Sequence, residues 1–347
     1  MIKGIQILRA IAAITVVFFH YQFLNIKTGD FGVDIFFIIS GFIIAYVVNK
    51  TTVDFFKKRL IRVVPLYYLA TLLTILVAFV FPQGLKHVII NTEAIVKSIS
   101  FIPYKLNTSG PILSLGWTLN NEMLFYIVMF ICILLFKKKS YLVPACAAIL
   151  IIFLLCLYII NPTYYPLNFY KSGLLPEFIF GLGLYHFNEF YQKRQSVLIN
   201  NLLIALGFIS ICFVIVSDLF LDITYLSRNI TKGIPLLFFV NTFLLLEDKF
   251  NKESRIIKIA LKLGEASYVM YLFHPFIIFF LERVVYPKLF GHPNGFLEQF
   301  AMMLGAMAFV CIISIGLFEF LDKPIMGFFK KYQKIDVLKG VKSKESS

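Results

Sequence analysis

Residues 5–24 read IQILRAIAAITVVFFHYQFL, and the fold follows from this stretch. It is apolar over the roughly 20 residues a helix needs to cross the hydrocarbon core of a bilayer. Two of its side chains, Arg9 and His20, are costly in lipid. They stand eleven positions apart, which at about 100° per residue is three turns and roughly 20°, so both lie on one face. At about 1.5 Å per residue their separation along the axis is about 16 Å. A guanidinium near one end and an imidazole near the other, on a shared stripe, predict a polar seam that faces protein or water.

The rest of the chain has the composition of a housing for that seam. Its 347 residues are 59% hydrophobic and the mean hydropathy is +0.84, which excludes a soluble domain and a disordered chain. The formal net charge of +14 would raise the question of nucleic acid in a soluble protein. Here the bases sit in short loops between apolar runs and report membrane orientation, so no nucleic-acid partner is expected. The cysteines Cys132, Cys146, Cys156, Cys212 and Cys311 all fall in apolar segments, without C-x-x-C spacing or a histidine at ligand spacing. That pattern speaks against a disulfide framework and against a metal site. The first segment lacks a cleavage-site pattern and carries Arg9 and His20, so it reads as a retained span rather than a signal peptide.

Ten spans are expected, near 5–24, 31–49, 65–82, 117–136, 141–160, 174–188, 198–217, 230–246, 257–281 and 297–320. The fold class is an all-α polytopic membrane protein. Pro176, Gly181 and Gly183 in the sixth span predict a bent or closely packed helix. Loop charge tests the count: of the 33 Lys and Arg, 23 fall on the side of both termini and nine on the other. By the positive-inside rule both termini are then cytoplasmic, in the cell membrane. The longest outer connection, about 83–116, has the length of a lid or binding surface. The tail, 326–347, is basic and reads as a cytoplasmic end near anionic lipid.

This topology puts His20, Asp34, Glu122, Glu177 and His274 at similar depth on five helices, and clustering around a water-accessible cavity is the cheapest way to hold them. Arg59 and Arg62, in FFKKRLIRVVPLYY at the inner end of the third span, serve either as positive-inside lipid anchors or as a phosphate site, for which the planar guanidinium is suited. Two function classes fit. One is an enzyme passing a group from a cytoplasmic donor to an external acceptor. The other is a transporter, a proton-coupled exporter of a polysaccharide precursor or acyl compound, in which His20, Glu122 and His274 relay protons. The Arg9-to-His20 separation is about the length of a pantetheine arm, which favours the enzyme. Paired broken helices in matching halves, the mark of many transporters, are not seen.

The residues also resemble a known family. Arg9 with ten spacers before His20, GVDIFFIISGF at 32–42 with Asp34, Ser40 and Gly41, and the R-x-x-R of Arg59 and Arg62 are similar to motifs of the membrane-bound acyltransferase 3 family. So are GWTLNNEMLFY at 116–126 with Glu122, LLPEFIFG with Glu177, GEASYVMYLFHP at 264–275 with His274, and LDKP at 321–324 with Asp322. The likeness covers about 4–325, is nearest to the exopolysaccharide O-acetyltransferase-like branch, and marks 1–325 as one integral-membrane acyltransferase domain. The sixth-helix motif often begins with Arg, and Lys171 is the nearest base here.

The resemblance implies transfer of an acyl group, usually acetyl, from cytoplasmic acyl-CoA to a hydroxyl of a polysaccharide or lipid-linked sugar. Acetyl-CoA or another acyl-CoA would be co-substrate, with no metal. His20 would be the general base on the acceptor hydroxyl or take the acyl group transiently, since its unperturbed pKa of about 6.5 suits both roles. Arg9 would hold the pantetheine or thioester end and Arg59 and Arg62 the CoA phosphates. Glu122 would orient His20 or position the acceptor, with His274 a second candidate in that layer. Asp34, Ser40, Glu177 and Asp322 are substrate or structural candidates.

Overall fold

The computed structural model describes residues 2–21, 28–85, 88–106, 109–171, 174–194, 196–221, 227–251, 254–289, 291 and 295–329. Most of the basic tail, 330–347, lies outside them. The helices are α1 (Lys3–Tyr21), α2 (Gly32–Lys50), α3 (Phe55–Val80), α4 (Thr92–Ile99), α5 (Gly116–Leu135), α6 (Lys139–Ile160) and α7 (Tyr165–Tyr170). They continue with α8 (Leu175–Tyr191), α9 (Val197–Phe220), α10 (Ile234–Leu245), α11 (Arg255–Phe280), α12 (Tyr286–Leu289) and α13 (Phe296–Leu317). Each of the ten expected spans overlies a helix. Among the described residues, eight helices are long and apolar enough to cross a membrane. The sixth and eighth spans fall short: α8 has 17 residues, and α10 with its preceding π turn runs Asn229–Leu245. The chain is an all-α, multi-pass membrane protein, and among the described residues the only strand-like pairing is a bridge between Leu106 and Ser109.

The helices are apolar nearly all round, as expected where lipid is the solvent, so small residues rather than hydrophobic stripes decide which faces meet. α1 packs chiefly against α11, and also against α2 and α10. A Cβ on Gly264 of α11 would lie 2.0 Å from the Gln6 carbonyl oxygen, so glycine sets that crossing. α2 lies on α8 in the same manner: a Cβ on Gly181 would come 2.1 Å from the Ile38 carbonyl oxygen and 2.9 Å from the Gly41 Cα. Gly183 meets nothing within 4 Å, so of the two glycines in the sixth span only Gly181 serves close packing. Lipid-facing surface is plentiful, as at Ile159 and Leu198.

The long connection near 83–116 is not a bare loop. It contains α4, whose Asn91 cap side chain accepts from the Ala94 backbone N–H at 2.8 Å. α4 is bound to the middle of α3 by Tyr67 Oη donating to the Ser98 carbonyl at 3.2 Å and Tyr68 Oη to the Ile99 carbonyl at 2.9 Å. Ala94, Tyr104 and Ile112 form a small core of their own beneath it.

Candidate active site

A cavity of about 320 Å³ opens between α1, α2, α3, α5 and α11. Its polar lining includes Arg9, Ser40, Arg59, Arg62, Glu122 and Tyr126. Arg9 comes from the second turn of α1 and Arg59 and Arg62 from one face of α3, three positions apart, while Lys57 and Lys58 beside them are exposed. The R-x-x-R spacing thus separates cavity-lining bases from surface bases. Arg62 is half committed: its Nη1 donates to Asp322 Oδ2 at 3.0 Å, and its guanidinium lies 5.5 Å from the Tyr268 ring centroid. Arg9 Nη1 has a long bond of 3.5 Å to Gln6 Oε1. Arg59 Nε is buried without a hydrogen-bond partner. Neither Arg9 nor Arg59 has an ion pair among the described residues.

Glu122 Oε1 accepts a short bond from Tyr126 Oη and one of 3.4 Å from Ser40 Oγ. Three guanidiniums, which stay protonated in proteins, face the Glu122 carboxylate and the Asp322 carboxylate that Arg62 engages. The balance is positive, so the cavity is suited to an anion.

Two histidines stand outside the cavity lining, near Tyr271, whose ring lies 6.3 Å from that of His274. The rings of His20 and His274 lie 4.8 Å apart between centroids, tilted by 57°. His274 is fully buried and His20 exposed. Each ring binds its own helix four residues back: His20 Nδ1 sits 2.9 Å from the Val16 carbonyl and His274 Nδ1 3.1 Å from the Met270 carbonyl. A carbonyl only accepts, so Nδ1 carries the hydrogen in a neutral ring and Nε2 keeps the lone pair. The His274 Nε2 is buried and unpartnered.

The single layer of five ionisable groups is therefore corrected to three separate places. His20 and His274 form a pair. Glu122 belongs to the arginine cavity, where its bonds are to Tyr126 and Ser40, so an orienting contact from Glu122 to His20 is not what the structure holds. Asp34 and Glu177 sit apart from both. Asp34 is fully buried and takes Arg228 Nε at 2.8 Å and Arg228 Nη2 at 2.5 Å. Arg228 also binds Asp30 at 2.7 Å, and Lys232 joins Asp30 to Asp218, 3.0 Å away. Burial pushes the Asp30 carboxyl up, but Arg228 and Lys232 outweigh this and hold it below the usual 3.8. Glu177 is fully buried, and neither of its oxygens has a hydrogen-bond partner. Lys171 is not its base: that ammonium donates to Asn161 Oδ1 at 2.7 Å. Among the described residues no group of three or more His, Cys, Asp and Glu could hold a metal ion. All five cysteines are free.

Sequence reasoning missed Tyr126, Tyr271, Thr118 and Arg228. The first three lie inside the matched motifs, four residues from Glu122, three from His274 and four from Glu122, respectively, which is helix-neighbour spacing. Arg228, 194 residues from Asp34, left no local signal.

The chain is similar to known proteins over most of its length. The acyltransferase 3 family model, described as an acyltransferase domain, matches residues 2–315. The exopolysaccharide production protein ExoZ of Rhizobium meliloti (strain 1021) is 28% identical over 306 residues, 86% of this chain and 90% of that protein. The putative peptidoglycan O-acetyltransferase YrhL of Bacillus subtilis (strain 168) is 30% identical over 175 residues, 45% of this chain and 27% of its own length. The peptidoglycan O-acetyltransferase OatA of Listeria monocytogenes serovar 1/2a is 27% identical over 156 residues, 40% of this chain and 25% of its own. No solved structure matches the chain. With the family model covering nearly all of it, this multi-pass membrane protein belongs to the acyltransferase 3 family and is an acyltransferase.

Proposed function

We propose that the protein transfers an acyl group, acetyl by preference, from cytoplasmic acyl-CoA to a hydroxyl of a cell-surface or lipid-linked polysaccharide, across the cell membrane. The observation that carries this reading is a positively balanced cavity on the Arg9 face of α1, with the His20–His274 pair farther along the same face. The names of the relatives, an exopolysaccharide production protein and two peptidoglycan O-acetyltransferases, supply the class of acceptor.

In this reading Arg59 and Arg62 hold phosphates of CoA at the inner mouth, where a guanidinium fork matches phosphate oxygens. Arg9 steadies the arm near its thioester end. The acceptor enters from outside and presents a hydroxyl to His20 Nε2, which removes its proton. The hydroxyl oxygen attacks the thioester carbon, the new C–O bond forms, the C–S bond breaks, and the CoA sulfur leaves as thiolate. The proton on His20 then passes to the thiolate or to solvent. His274 backs the imidazole and shares its developing positive charge. Glu122, Tyr126 and Ser40 fix the wall of the cavity rather than the base.

The test uses purified protein with acetyl-CoA and an oligosaccharide acceptor. Acceptor-dependent release of CoA thiol, with acetyl recovered on the sugar, supports the assignment. Proton flux dependent on acceptor, with no acyl-CoA consumed, would overturn it in favour of transport.

A further inference from the structure

We propose that Tyr271, Phe36 and Thr118 form a neck between the arginine cavity and the histidine pair, and that this neck selects acetyl over longer acyl groups. The inference rests on the donor reading above and names the acyl class that site takes.

Three observations place the neck. First, the cavity is lined by Tyr271, Phe36 and Thr118 but by neither histidine. Second, the Tyr271 ring lies 6.3 Å from the ring of His274, the buried member of the histidine pair. Third, Tyr271 is pinned. Its hydroxyl sits 2.7 Å from Thr118 Oγ1, and Thr118 spends its own hydrogen on the Leu115 carbonyl at 2.8 Å, so Tyr271 is the donor between them. The Phe36 ring meets Tyr271 edge-on at 6.0 Å. Tyr271 is 6% and Thr118 5% exposed. A ring held by a buried hydrogen bond and an aromatic contact does not swing aside without losing both.

On α1 the stripe from Arg9 to His20 passes through Ala13, four residues on, and Val16, four residues before His20. Both are almost fully buried, at 0% and 1%. Neither lines the cavity, so the stripe between Arg9 and His20 is closely packed beside a fixed aromatic wall. Each further methylene must displace close-packed side chains, and interiors have little slack. Discrimination by one methylene in such a setting is on the order of 10-fold or more.

The test compares kcat/KM for acetyl-, propionyl- and butyryl-CoA with one acceptor, in membranes carrying the parent protein, Tyr271→Ala, Phe36→Leu or Thr118→Val. The readout is the ratio between donors within one preparation, so loss of folded protein does not move it. The parent should fall about 10-fold at each added methylene. Tyr271→Ala should bring butyryl within a few-fold of acetyl, Phe36→Leu should act in the same direction, and Thr118→Val, which unpins the tyrosine, should loosen the ratio partway. A parent that uses acetyl-CoA while all three variants keep its donor ratio overturns the neck and leaves the donor reading intact. A parent inactive with every acyl-CoA overturns both.

Discussion

His20 of α1 and His274 of α11 face each other with ring centroids 4.8 Å apart, and each is held through Nδ1 by the carbonyl four residues before it. The helix backbone thus fixes which nitrogen of each imidazole stays basic. In the proposed reaction the exposed member would meet the incoming acceptor, and the buried member would steady its charge. Arg9 lies on the same face of α1 as His20, at the near end of a cavity that gathers three guanidiniums. In the proposed reaction a single helix would therefore carry one contact for a bound anion and one base for a nucleophile.

The two arginines of the R-x-x-R element should separate in their effects. Arg59 has a buried, unpartnered Nε and no ion pair among the described residues, so Arg59→Ala should raise the KM for acetyl-CoA while leaving the temperature of unfolding near that of the parent. Arg62 neutralises Asp322, which is 2% exposed, and removing one partner of a buried pair costs about 3–5 kcal/mol. Arg62→Ala should therefore lower the unfolding temperature as well, and adding Asp322→Asn should restore part of it. Thermal unfolding in detergent beside donor titrations separates the two; an unchanged KM in Arg59→Ala would favour a lipid-anchoring role.

Glu177 and Arg228 should respond in opposite ways to loss of charge. Among the described residues no cation binds the oxygens of Glu177 directly, so Glu177→Gln, which keeps the volume, should stay within about 1 kcal/mol of the parent. Arg228 holds the fully buried Asp34 through two bonds, and Arg228→Met should cost about 3–5 kcal/mol by leaving that carboxylate uncompensated. Unfolding temperatures of the two variants check this, and equal losses would contradict it.

The same network sets one pH dependence. Asp30 is held below the usual 3.8 by Arg228 and Lys232, against the opposing effect of burial. A depressed carboxylate contributes stability above its unfolded value and loses it as pH falls through the folded one. The stability gap between the parent and Asp30→Asn should be constant from about pH 5 to 8 and shrink below about pH 4. Thermal unfolding across that range tests the sign; a gap that widened on acidification would refute it.

Some of this was legible in the residues. The stripe joining Arg9 and His20 is fixed by helix period alone, and the long apolar runs each fell on a helix, eight of which, among the described residues, are long and apolar enough to cross a membrane. Gly181 announced a close crossing, though Gly183 two positions on did not take part in it, because which face of a helix meets a neighbour is decided by the neighbour. The five ionisable groups at one depth were not one cluster because depth along a helix says nothing about azimuth. Glu122 turned to Tyr126 on its own helix and Ser40 on α2, whereas Asp34 turned to Arg228 on a distant segment. Tyr271 and Thr118 looked like ordinary motif residues until α5 and α11 were brought together.

The central claim is that His20 activates the acceptor hydroxyl, and His20→Ala tests it most directly. Single-turnover transfer from radiolabelled acetyl-CoA to oligosaccharide should fall by about 10²–10⁴-fold, while acetyl-CoA binding by the same preparation is retained. Transfer at the parental rate by a folded, donor-binding His20→Ala protein would contradict the account.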